Sequence, residues 1–138
     1  FYTLDVYLAA DSFDALDFPY YNYRKNVSGS ITNSITPKYY FDKAKFVTYV
    51  VEQFCDGKQP RDFVGACILS FAAYEYSILI WDSRRLTGEP RRQAEQFLRD
   101  YRWVLRYGRS AKTRLVRGFT AVFGLGLTAR AMDVYFSR

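Results

Sequence analysis

The chain has 138 residues, enough for one domain around one hydrophobic core, and its 49% hydrophobic content is that of a globular protein rather than a disordered one. It contains no histidine, which excludes His-based triads, His metal sites and His general bases. A net charge of +6 admits nucleic acid, an anionic membrane surface or a phosphorylated ligand as a partner, and selects none of them.

Taken in chain order, Phe1 to Phe13 reads as a helix on the spacing of Leu4, Tyr7 and Leu8. Ala15 to Tyr23 reads as a strand, with Leu16, Phe18 and Tyr20 at period two and Pro19 marking an edge or bend. Asn26 to Ser34 is rich in turn formers and reads as a loop. Thr36 caps a helix with Pro37 at its first position and a stripe of Tyr40, Phe41, Ala44, Val47, Val51 and Phe54, and Asp56-Gly57 stops it. The next helix begins at Gln59-Pro60 and is apolar around most of its circumference, which makes it the central helix of a bundle. Thr87-Gly88-Glu89-Pro90 breaks it. A further helix spans Pro90 to Tyr107, and a last one covers Ala111 to Phe136 with a bend near Gly124-Leu125-Gly126.

The expected fold class is therefore mainly α: an N-terminal helix, one short strand and a loop, then a bundle of about four helices. A lone strand leaves its backbone donors and acceptors unsatisfied. It needs either a part of the protein absent from this chain or a second copy in a homodimer. The first residue is Phe1 rather than Met and no signal-peptide pattern follows, so the chain reads as an internal piece. No uninterrupted apolar run reaches the length of about 18 residues that spans a bilayer. Cys55 and Cys67 have no metal-type spacing and fall in apolar helical stretches, which predicts free, buried thiols in a reducing cytoplasm.

Pro19-Tyr20-Tyr21-Asn22-Tyr23-Arg24, followed by Ser28-Gly29-Ser30-Ile31-Thr32, resembles a segment of bacterial family 2 glycosyltransferases. That resemblance implies that residues 1–35 are the tail end of a GT-A catalytic domain and residues 36–138 a C-terminal helical domain. It places the catalytic Asp just upstream of Phe1, so none of the residues here is catalytic. It makes Arg24, Ser28 and Ser30 a loop that donates hydrogen bonds to the donor diphosphate or holds the acceptor. It further implies a parent enzyme moving a sugar from a nucleotide-sugar to a glycan or lipid-linked acceptor in surface polysaccharide synthesis. Mg or Mn would serve the parent, with no cofactor in this piece, which alone would be inactive. The missing GT-A domain is the implied partner.

The acidic residues Asp5, Asp11, Asp14 and Asp17 share no face of one element and read as solvated charges and caps, and there is no Asp-x-Asp. The basic second half has aromatic residues interleaved. Arg102, Arg106, Arg109, Lys112 and Arg114 are candidates for contact with an anionic membrane surface, which would make the protein peripheral at the inner face of the cell membrane. A free-standing basic helical module that binds a membrane surface, protein or nucleic acid is the alternative. No helix-turn-helix or RNP-type signature supports nucleic acid as partner.

Overall fold

The computed structural model describes residues 2–12 and 35–136, and the chain divides into two units, Phe1–Ser34 and Ile35–Arg138. In the first, α1 spans Tyr2–Ala9, shorter than the expected Phe1 to Phe13. The expected strand Ala15–Tyr23 and the loop that follows lie outside the described residues, and with them Arg24, Ser28 and Ser30.

The second unit is mainly α. Its first helix, α2 (Pro37–Phe54), starts where the sequence predicts. The Thr36 hydroxyl accepts from the Tyr39 N–H at 3.2 Å, satisfying one of the four orphan donors of the first turn. Tyr40, Ala44, Val47 and Val50 are buried, so the stripe centres on Val50 rather than Val51.

The expectation of a helix from Gln59-Pro60 is corrected. Cys55–Asp56 (β1) and Gln59–Pro60 (β2) pair antiparallel across Gly57-Lys58. Gly57 (φ 63°) thus opens a hairpin turn as well as standing at a helix stop. Strands of two residues are too short to show alternation, which is why periodicity misses them. The helix proper, α3, spans Phe63–Asp82, and the Asp62 carboxylate caps it by accepting from the Gly65 N–H at 2.7 Å.

α3 is the hub of this unit. It packs against α2, against α5 (Ala111–Phe136) and against a 3-10 segment, Arg102–Tyr107. Leu69, Ala72, Ala73, Tyr76, Leu79 and Ile80 have no exposed surface. Six such side chains over three turns mean that both flanks of the helix are covered, as its all-round apolar character predicts. The Tyr76 hydroxyl donates to the Leu98 carbonyl, giving a buried polar tip its partner. The segment Phe63–Arg85 is, by length and composition, apolar enough to cross a membrane, with a mean hydropathy of 1.7, although Ser70, Glu75 and Ser77 interrupt its apolar run as the sequence reading has it. Half of its apolar window is buried within the protein, as in a core helix.

α4 spans Gly88–Asp100, ending earlier than the expected Tyr107. Tyr101 (φ −99°, ψ 8°) leaves the helical region, and the chain continues as the 3-10 segment. Tertiary contacts hold that tighter turn: Val104 and Leu105 are buried, and the Tyr107 hydroxyl donates to the Lys58 carbonyl at 2.8 Å. Gly108 then packs so closely that a Cβ there would lie 2.1 Å from Thr113 Cγ2. α5 bends as expected, at Gly124 (φ 74°, ψ 174°), a conformation reached by glycine and hardly by other residues. The bend divides α5 into a first arm before Gly124 and a second arm after it.

The cysteine expectation holds in part. Cys55 is buried and Cys67 is exposed, both as free thiols. Cys55 lies in β1 rather than in a helix, and Cys67 sits on an exposed face of α3.

Candidate anion-binding and membrane-facing surface

The first arm of α5 buries one narrow stripe, Thr113, Val116 and Thr120, against the rest of the unit. These positions recur at three and four, one face of a helix. Everything else on this arm is turned outward, and its two flanks border cavities of opposite character.

On one flank lies an apolar groove of about 400 Å³, walled by Tyr74, Ile78 and Trp81 of α3 and by Leu115, Val116 and Phe119 of α5. Met132 and Tyr135 of the second arm close it. That arm is anchored by Asp133, which accepts from Trp81 Nε1 at 3.2 Å and pairs with Arg84 at 3.3 Å. Beside the groove, Leu115 is 64% exposed, Val122 74% and Phe123 52%. Large apolar side chains left this open along one edge form a patch of the kind that marks an interaction surface.

On the other flank lies a basic cavity of about 540 Å³, lined by Lys58, Arg99, Arg102, Arg106 and Arg117, with Trp103 in its wall and Asp100 as the single carboxylate. Arg102 donates from Nη2 to the Thr120 carbonyl at 2.6 Å, and Arg117 from Nη1 to the Arg106 carbonyl at 3.3 Å. These bonds fix two guanidinium groups by one nitrogen each and leave their other N–H groups to a ligand. Asp100 accepts from Gln96 at 2.8 Å.

The five predicted surface residues therefore separate. Arg102 and Arg106 share the basic cavity. Lys112 lies on the opposite flank, at the apolar groove. Arg109 and Arg114 are exposed, and the Arg109 N–H donates to the Ser70 hydroxyl at 3.3 Å. Sequence reasoning missed Lys58: the hairpin brings it to the cavity from far along the chain, and no local pattern announces that. Asp5 and Asp11 are exposed, as solvated charges should be, and Asp14 and Asp17 lie outside the described residues. Among the described residues no group of three His, Cys, Asp or Glu side chains could hold a metal ion.

The distribution of ion pairs sets this surface apart. Elsewhere many charges are matched: Lys38 and Lys45 with Asp42, Arg61 with Asp56, Arg91 with Glu95. Lys43 reaches Glu75 at 3.7 Å and Asp82 at 4.0 Å. Asp82 is 2% exposed, and burial pushes its pKa up against the pull of Lys43 and Arg85. Around the two cavities, Lys58, Arg99, Arg102, Arg106, Arg109, Lys112, Arg114 and Arg117 form no ion pair among the described residues. No protein-family model matches this chain, and no significantly similar curated protein or solved structure was found.

Proposed function

We propose that the helical unit is a peripheral docking module for an anionic membrane surface. The observation that carries this reading is the first arm of α5. Leu115, Phe119, Val122 and Phe123 stand exposed along one edge, while Lys112 at the groove and Arg114 on the same arm form no ion pair among the described residues. Apolar side chains entering the headgroup boundary and cations meeting anionic lipid are the two terms of interfacial binding. Each cation near such a surface contributes about 1 kcal/mol, and the contribution falls with ionic strength.

The resemblance of Pro19 to Thr32 to family 2 glycosyltransferases supplies an enzymatic context for this docking. In that reading the unit follows a GT-A domain and holds it at the cytoplasmic face, where a lipid-linked acceptor is met. Nucleotide-sugar, acceptor and metal ion belong to the parent enzyme. Coding sequence upstream of Phe1 with an Asp-x-Asp motif and a Glu-Asp pair would support that context; a start codon beside Phe1 would sink it.

The docking itself is tested by cosedimentation with vesicles of phosphatidylglycerol and phosphatidylcholine against phosphatidylcholine alone. The chain should pellet with the first, less so as salt rises, and only weakly once Leu115, Val122 and Phe123 are each replaced by Ser. Equal pelleting of that variant and the unaltered chain would contradict the reading.

A further inference from the structure

We infer that the basic cavity between the hairpin, the 3-10 segment and the first arm of α5 is a binding site for a diphosphate group. Five cationic side chains line it against one carboxylate. That carboxylate is already held by Gln96. Like charges gathered in one concavity raise the local positive potential and repel one another until a multiply charged anion enters. Arginine supplies four of the five cations, and its planar fork matches phosphate oxygens two at a time.

The site is built rather than merely basic. Arg102 and Arg117 are oriented by backbone carbonyls. Tyr107 bonds the Lys58 carbonyl and the Gln59 side chain, which fixes the hairpin that carries the lysine. The side chains of Lys58 and Arg106 have no hydrogen-bond or ion-pair partner among the described residues. At about 540 Å³ the cavity is within the usual range of small-molecule sites, about 300–1,000 Å³. It therefore has room for a diphosphate and for part of the group that carries it, with the Trp103 ring as the apolar wall.

The diphosphate could come from the headgroup of a lipid-linked sugar or from a soluble nucleotide. The inference extends the docking reading without depending on it, because its first probe is soluble. Inorganic pyrophosphate titrated into the chain by calorimetry should bind more tightly than inorganic phosphate. Arg106→Gln and Lys58→Gln should each weaken pyrophosphate by about tenfold, the loss of one charge-assisted contact. Arg92→Gln, on the exposed face of α4 and outside the cavity, should leave it unchanged. Pyrophosphate binding no tighter than phosphate, or an equal loss in Arg92→Gln, would overturn the site. Two further arms identify the source. Uridine diphosphate binding with quenching of Trp103 assigns the soluble one. Vesicles of phosphatidylcholine carrying polyprenyl diphosphate, bound by the unaltered chain and not by Arg106→Gln, assign the lipid one. Failure of both arms alongside failure of pyrophosphate overturns the inference. Loss of phosphatidylglycerol binding alone would touch only the docking proposal.

Discussion

α3 and the first arm of α5 both carry large apolar side chains, and they use them in opposite ways. In α3 the apolar residues run all round the helix, and α2, the 3-10 segment and α5 cover much of that surface. The charges beside it are matched, as where Lys43 faces Glu75. In the first arm of α5 only Thr113, Val116 and Thr120 are buried, two of them threonines, while leucine, valine and phenylalanine stand in solvent. Its cations have no acidic partners among the described residues. The difference teaches that apolar content does not separate a core helix from an interfacial one. What separates them is which side chains the fold covers and whether neighbouring charges are already satisfied.

That contrast predicts a graded set of effects. The largest belongs to α3: Leu79→Ala, at a side chain with no exposed surface, should cost about 2–5 kcal/mol in urea unfolding, since a cavity is left in a packed core. Next comes the bend. Gly124 has φ 74° and ψ 174°, so Gly124→Ala should cost about 1–3 kcal/mol or straighten α5; circular dichroism with urea unfolding would register either. Asp82 offers a smaller, pH-dependent effect. Its folded pKa is raised, chiefly by burial, so the folded protein holds that proton more tightly than the unfolded chain. The stability this confers is present at low pH and is lost as pH rises through the range between the unfolded and folded values. The unaltered protein should therefore gain stability on Asp82→Asn as pH falls from neutral toward the carboxylate range. A relative gain as pH rises would contradict the burial argument. The smallest effect on stability is expected on the exposed edge. Val122→Ser, at a residue 74% exposed, should change unfolding free energy by no more than about 0.5 kcal/mol, even though it weakens vesicle binding.

Much of the helical unit was legible in its residues. The Thr36-Pro37 start, the all-round apolar character of α3 and the glycine at the bend of α5 are local signals, and local geometry obeys them. The hairpin was not legible, because two-residue strands carry no period and Asp56-Gly57 stops a helix as readily as it turns a hairpin. The end of α4 was missed for another reason. Arg102–Tyr107 keeps a helical pattern of apolar residues, but bonds from Arg102 to Thr120 and from Tyr107 to the hairpin hold it in a tighter turn. The candidate site follows the same division. A dense run of arginines was visible, yet its sorting into a basic cavity and an apolar edge depends on which flank of α5 each residue occupies, and on a lysine delivered by the hairpin. The segment Pro19 to Thr32, on which the glycosyltransferase resemblance rests, lies outside the described residues, and with it Arg24, Ser28 and Ser30.

The most direct test of the interfacial role of α5 reads the environment of its exposed edge while lipid is bound. With Cys67 replaced by Ser and Cys55 left buried, a cysteine introduced as Val122→Cys would carry an environment-sensitive nitrobenzoxadiazole label, and Gln93→Cys, on the exposed face of α4, would carry the same label as control. On phosphatidylglycerol vesicles the label at position 122 should shift to the blue and brighten, reversibly with salt, while the label at position 93 stays as in water. No shift at position 122, or the same shift at both positions, would contradict the account.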